Sequence, residues 1–418
     1  MTAALEGVLV ADFSRVLAGP LCTMNLADLG ATVIKVERPD VGDDTRGWGP
    51  PWAPSTSDFP TPESSARGSE ASARSSTYFE SINRSKRSLT LDLTDPDDCA
   101  AAIELAKRAD VVVENFRPGA LDRFGLGYEQ VRALNPGAVY VSITGFGRAG
   151  GADLMGYDFL VQAVGGLMSV TGEADGSPTK TGVAVVDVLT GKDATIGVLA
   201  ALAARAHSGQ GCHVEVDLLS SLLAAMVNQA QSTLQTGSAP TRMGNSHPSI
   251  TPYETLRCRD GLLAVACGND GQFARLVRIL GDPGIATDQR FATNAARVAH
   301  RSTLVAQLER LLAADDAESW QQRLTQAQVP AGRVGDVADG FALAERLGLQ
   351  PWTDVGTGEQ ACPQVRHPVQ YDSTLTAPPT RPPRLGEDDQ EVRAWLAHPQ
   401  SPELPRHAVR RPISERPT

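Results

Sequence analysis

The sequence predicts an α/β protein: a large domain built on a parallel sheet, with a smaller α+β domain after it. Short apolar runs at residues 8–12 (VLVAD), 32–37 (TVIKVE), 111–116 (VVVENF) and 139–146 (VYVSITGF) alternate with helical patterns, which is how a parallel sheet is covered on both faces. From about residue 261 to 326 the pattern changes to short strands such as LLAVAC and amphipathic helices such as LVAQLERLLAA. Residues 375–385 (LTAPPTRPPRL) carry Pro378, Pro379, Pro382 and Pro383, which force an extended strap.

In chain order, strand 8–12 runs through the loop SRVLAGP into a helix that Pro20 opens and Gly30 closes. A helix capped by Thr94 or Asp95, with Pro96 in its first turn, precedes strand 111–116. Residues 54–76 are rich in Ser, Pro and Ala and read as a mobile surface insertion. An Ala-rich helix at 190–207, a strand at 213–219 and a helix at 220–236 then lead out of the first domain. The expected organisation is 1–210 as large domain, 211–335 as linker helix and small domain, 336–400 as return strap and terminal helix, and 401–418 as frayed tail.

Composition narrows the function. Of 418 residues 41% are hydrophobic, ample for two cores. Acidic residues outnumber basic ones 49 to 38, for a net charge of −11, and no long basic run occurs, which argues against a nucleic-acid partner. No apolar run reaches the roughly 18 residues of a membrane span, so no membrane partner and a cytoplasmic location are expected. Cys22, Cys99, Cys212, Cys258, Cys267 and Cys362 form no C-x-x-C pair, and Cys212 and His213 should point to opposite faces of a strand. Reduced thiols and no metal site are expected.

Asp187, in VAVVDVLTGKD, ends an apolar run just before the expected helix. It either caps that helix or presents a carboxylate at the mouth of the sheet, and the local pattern leaves both open. Arg38 and Arg123 follow strands, where ligands bind in open α/β sheets, and would suit phosphate or simply be solvated. Gly145–Gly150 (GFGRAG) matches a dinucleotide fingerprint formally, but no clear helix follows, so it reads as a turn. The phosphate loop G-x-x-x-x-G-K-[ST] and the G-x-S-x-G elbow are both absent.

Several stretches, in order, resemble the class III CoA-transferases: LEGVLVADFSRVLAGP, LGATVIKVERPDVGDDTRGWGP, NRSKRSLTLDL, VVVENFRPGALDRFGLGYEQVRALNP, GYDFLVQAVGGLMSVTG, VAVVDVLTG and PPRLGED. The resemblance implies a Rossmann-like large domain built from both chain ends, a smaller middle domain, and a homodimer of subunits threaded as linked rings. It places the catalytic aspartate at Asp187. That carboxylate would attack an acyl-CoA thioester, giving an acyl-aspartyl anhydride and then an aspartyl-CoA thioester, which an acceptor acid resolves. Coenzyme A would thus be a co-substrate, with no metal required.

By the same resemblance CoA would contact Leu17, Ala18, Arg38, Leu91, Asp92, Leu93, Thr94, Asn115, Phe116, Arg117, Arg123, Met155, Gly156, Tyr157 and Asp158. Gly244, Asn245, Ser246 and His247 would form a substrate loop, without the consecutive glycines of the formyl-CoA transferases. Related acyl-CoA racemases use a histidine in a G-H-D segment, and Tyr157 stands there in this chain, which favours transfer over racemisation. The branch implied uses succinyl-CoA and dicarboxylate acceptors. The alternatives are an epimerase of the racemase type and a non-catalytic acyl-CoA binding protein.

Overall fold

The computed structural model describes residues 3–53, 75–356, 361–373 and 375–398. All but the last two residues of the expected insertion, and the tail 401–418, lie outside the described residues. The chain divides into two compact units, one of Met1–Gly165, Val183–Val227 and Pro351–Thr418, the other of Gly166–Gly182 and Asn228–Gln350.

In the first unit, β1 (Leu9–Asp12), α1 (Ala18–Asp28), β2 (Thr32–Glu37), α2 (Thr77–Ile82), β3 (Lys86–Thr90), α3 (Pro96–Arg108), β4 (Val111–Glu114), α4 (Tyr128–Leu134) and β5 (Val139–Thr144) follow one another. After them come α5 (Asp158–Val164), α6 (Val185–Ser208), β6 (His213–Asp217) and α7 (Leu218–Ala225), and α8 (Asp389–Leu396) returns near the C-terminus. Six strands form one parallel sheet in the order β3-β2-β1-β4-β5-β6. Strand order reverses between β1 and β4, and such a switch point opens a crevice at the carboxyl ends of the strands.

Local chemistry explains the elements. Val111, Val112 and Val113 are fully buried, as a strand covered on both faces requires. Asp95 caps α3 by accepting from the backbone N–H groups of Asp97 and Asp98, and Pro96 takes the first helical position, where a missing N–H costs nothing. Val392, Trp395 and Leu396 of α8 join the core made by Ala11, Leu105 and Val112. Arg87, 3% exposed at its side chain, pairs with Asp388 at 2.9 Å, and Arg393 pairs with Asp98 at 2.5 Å, fastening the returning segment.

Several expectations need correction, beginning with residues 166–182 and 336–350, which belong to the second unit and not to the large domain or the return strap. Residues 213–217 belong to the large sheet, not the connecting region: β6 pairs in parallel with β5, from Tyr140 opposite His213 to Thr144 opposite Asp217. The helix expected at 220–236 is two helices, Leu218–Ala225 and Val227–Thr236, divided where Val227 takes a φ of 37°.

The second unit holds an antiparallel sheet of Tyr253–Arg257, Leu262–Ala266 and Ala331–Arg333, with Leu262–Ala266 in the middle. Phe273, Leu276, Leu304, Leu308 and Trp320 from its helices fill the core against Leu256 and Val265. No helix among the described residues is long and apolar enough to cross a membrane.

Beneath the crevice of the first unit lies a buried set of charges. Lys86 Nζ sits 3.1 Å from Asp12 and Lys35 Nζ 2.8 Å from Asp43, all four side chains fully enclosed. Arg46 pairs with Glu37 at 2.7 Å. Lys86 also donates to the Pro20 carbonyl and to Asn83, and Lys35 to the Ser14 carbonyl. Burial pushes Lys86 down to about 8, although Asp12 opposes the shift. Burial alone would raise Asp43, but Lys35 and the Thr45 donors hold it at about 2. Replacing Lys86 with methionine leaves Asp12 enclosed without that cation. The expected cost is about 3 kcal/mol, seen as a lower midpoint in chemical denaturation, and an unmoved midpoint would show that the pair is dispensable.

Candidate active site

A cleft of about 390 Å³ opens at the carboxyl ends of β1, β4 and β5. Its wall comes from residues 15–18 after β1, the turn Asn115–Pro118 after β4, the residues 143–147 at the end of β5, the loop 151–157, and Asp187 and Leu218. Asn115 ties the first two segments together: its side-chain Oδ1 accepts from the Arg15 N–H at 2.8 Å, and its Nδ2 donates to the Arg15 carbonyl at 2.7 Å. The next residue, Val16, has a φ of 70°, a conformation that costs a β-branched residue about 1–3 kcal/mol. Asp43 accepts from the Val16 N–H at 3.3 Å, so the buried charges hold this strained turn.

Two glycines shape the rear of the cleft. A Cβ on Gly145 would fall 2.3 Å from the Gly156 Cα, so the two backbones approach as only glycine allows. GFGRAG is a turn, as its sequence suggests, with Gly147 at a φ of 78°, and Gly145 and Gly147 both line the cleft.

Asp187 is the third residue of α6, which begins at Val185, five residues before the expected start. It does not cap the helix; the N-cap is Ala184, which offers no side-chain acceptor. The cap comes from Asp158 at the start of α5. Its Oδ1 accepts from the N–H groups of Val186 at 2.8 Å and Asp187 at 3.3 Å, and its Oδ2 accepts from the buried Gln162 amide at 2.6 Å. Asp158 thus both positions the turn that carries Asp187 and sets a negative charge beside it. Burial, and then that charge, push Asp187 up to about 7. The Tyr78 hydroxyl, raised to about 12 by burial and by Asp187 and Asp158, stays neutral near both acids.

The expected CoA residues fall into two groups. Leu17, Ala18, Asn115, Phe116, Arg117, Met155, Gly156 and Tyr157 line the cleft together with Asp187. The Arg117 guanidinium lies 2.9 Å from the Met155 sulfur and 5.0 Å separates Arg15 from the Phe116 ring centre, so two cations flank the cavity. Arg38, Leu91, Asp92, Leu93, Thr94, Arg123 and Asp158 are not among its lining residues. Leu91 is 2% exposed in the core. Asp92 accepts from both the N–H and the hydroxyl of Thr94, shaping with Leu93 the turn before α3. Arg123 stacks on Phe124. Arg38 pairs with Asp44, which also holds Arg15, so it meets the rim through one intervening carboxylate.

Gly244, Asn245, Ser246 and His247 lie in the second unit and are strapped to its sheet. Asn245 bonds Thr255, Ser246 bonds Glu254, and the His247 N–H donates to the Tyr253 carbonyl. His247 Nδ1 accepts from the Ser249 N–H at 3.1 Å. Arg242 donates to the carbonyls of Glu173 and Gly176. Sequence reasoning overlooked Arg15, Val16 and Thr144 in the cleft wall; the SRVLAGP loop following β1 was the available signal for the first two.

A crevice at the switch point of a parallel sheet, flanked by arginines and holding one carboxylate of raised basicity, is where an open α/β sheet binds its ligand. Residues 5–389 match the model of CoA-transferase family III, and the chain belongs to that family. It is an acyl-CoA transferase. It is 43% identical over 400 residues to the succinate–glutarate CoA-transferase of Agrobacterium fabrum, covering 94% of this chain and 95% of that one. It is 36% identical over 400 residues to the acetyl-CoA:oxalate CoA-transferase of Acetobacter aceti, covering 95% and 96%. Among solved structures, a CaiB/BaiF family protein from Brucella suis superposes with a TM-score of 0.82 at 41% identity, covering 95% of this chain and all of that one.

The cap can be separated from the charge. Asp158→Asn keeps an acceptor for the α6 N–H groups and removes the negative charge, so it should move the acid limb of the pH–rate profile down from about 7 while retaining turnover. Asp158→Ala loses the acceptor as well and should lower kcat at every pH, about tenfold. Identical profiles for the two variants would refute the division of roles.

Proposed function

We propose that the protein transfers CoA from succinyl-CoA to a dicarboxylic acid through covalent intermediates on Asp187. The observation that carries this reading is the half-buried Asp187 carboxylate in the cleft wall, with its basicity raised and its backbone held by Asp158. A carboxylate of higher basicity is a better nucleophile toward a thioester carbonyl once ionised. Attack forms the Oδ–acyl bond and expels CoA thiolate; the thiolate then attacks the aspartyl carbonyl and releases the donor acid. The acceptor carboxylate reverses both steps and leaves as the new thioester.

In this reading the adenosine diphosphate end of CoA lies along the arginine-flanked wall, and its thioester reaches Asp187. Donors near the developing oxyanion lower the barrier of each addition. Succinyl-CoA and a dicarboxylate are proposed because the relatives named for succinyl-CoA transfer to glutarate and to mesaconate match over most of this chain. The working assembly is proposed to be a homodimer, which light scattering would test.

Two measurements check the chemistry. Incubation with succinyl-CoA followed by hydroxylamine or borohydride trapping should modify Asp187, and Asp187→Ala should remain unmodified with activity reduced at least a thousandfold. A trapped adduct elsewhere, or full activity in Asp187→Ala, rejects the mechanism. Because ionised Asp187 is the attacking form and its folded value is raised to about 7, the rate should fall as pH drops through about 7.

A further inference from the structure

Behind the cleft wall, on the helix-covered face of β4, β5 and β6, lies a hydrogen-bonded chain with no part in the reaction described above. Glu114, 8% exposed, ends β4, and one of its carboxyl oxygens accepts from the Phe116 N–H at 2.8 Å. Ser142, its partner in the β4–β5 register, is 3% exposed, and its hydroxyl beside that carboxyl favours the ionised form. The Ser142 Oγ lies 2.9 Å from His213 Nε2 on β6. The His213 ring stacks on Tyr128 of α4 at 4.3 Å and meets the edge of Tyr140. Arg148, from the GFGRAG turn, brings Nη1 within 3.3–3.4 Å of both ring nitrogens and 3.4 Å of Glu215. A void of about 10 Å³ beside Glu114 is bounded also by Arg117 and Asp122.

Each end of this chain touches a turn of the cleft, the Phe116 turn at one end and the 145–150 turn at the other. We propose that Glu114, Ser142 and His213 are positioning residues for the CoA cleft, and that the ionised carboxylate of Glu114 holds the 115–118 turn in its binding form. The proposal rests on the reading that the cleft binds CoA. With Glu114 ionised, the Ser142 hydroxyl donates to it and His213 Nε2–H donates to Ser142. When Glu114 takes a proton from water, the row reverses: Glu114 O–H donates to Ser142, Ser142 to Nε2, and the ring proton moves to Nδ1.

The Phe116 N–H then loses its charged acceptor. Burial pushes Glu114 up to about 7, with Asp122 adding to the rise and Ser142, Phe116 and Arg148 opposing it. Burial pushes His213 down, with Arg148 acting in the same direction against Glu215 and Glu129, so the ring changes tautomer instead of charge. The carboxylate is the form that holds the turn, so affinity is full above the Glu114 midpoint and is lost as pH falls through it.

Calorimetric titration of the full chain with free CoA, which involves no acyl transfer, tests this from pH 6 to pH 8.5. Wild-type protein should bind about fivefold more tightly at the upper end. Glu114→Gln should bind weakly with that step removed, leaving only the part contributed by the phosphates of CoA and by Asp187. Ser142→Ala removes a donor to the ionised form and should move the midpoint upward. The same step in Glu114→Gln as in wild type overturns the proposal, and an unmoved midpoint in Ser142→Ala does so even where Glu114→Gln fails to fold. Failure of wild-type protein to bind CoA at any pH would remove the cleft assignment as well, an outcome distinct from pH-independent binding, which removes only the positioning chain.

Discussion

Enclosed charge is the constraint on which the rest of this structure depends. Asp12, Lys35, Glu37, Asp43 and Lys86 sit on or beside the first three strands almost wholly out of solvent. An isolated ion there would cost several kcal/mol, and only complete pairing offsets that cost. Partners must therefore arrive from the loops: Asp43 and Arg46 from the segment after β2, the Ser14 carbonyl from the segment after β1, and the Pro20 carbonyl from α1. Satisfying the charges fixes the loops, and one of them, residues 15–18, is part of the wall of the cleft.

The geometry of the cleft follows from that fixation. Val16 can keep its left-handed backbone because Asp43 and Asn115 grip the peptides around it. Asp187 is held in the same manner from a different direction, by a carboxylate reaching across from α5. The arrangement has a cost in reactivity as well as a benefit. The neighbouring negative charge that makes Asp187 more basic also leaves a larger fraction of it protonated near neutrality, so reactivity of the ionised form and its population move in opposite directions.

Much of this was legible in the sequence, and the failures are instructive. Strands β2, β4 and β5 announce themselves because burial on both faces demands largely apolar runs such as VVV. Strand β3 does not, since KRSLT looks like a surface segment; its Lys86 and Arg87 are buried through ion pairs that no local pattern encodes. The start of α6 was hidden for a related reason. VAVVDV is β-branched and uncapped in sequence, and it becomes helical because Asp158, distant in the chain, supplies the acceptor. Asp187 could be singled out by position and resemblance; for Arg15 the loop after β1 was the only signal, because its place at the cleft is fixed by Asn115 a hundred residues away.

Residues 351–398 complete the first unit, although just over two hundred residues separate β5 from them and the whole second unit is encoded in between. This has a consequence for synthesis. As the chain leaves the ribosome, the second unit is fully emerged while Arg87 and Arg108 still await the segment carrying Asp388 and Trp395. The large sheet must persist for that interval with β3 and α3 uncovered, so the nascent first unit is the aggregation-prone stage of biogenesis and the last few dozen residues are what bring it to an end.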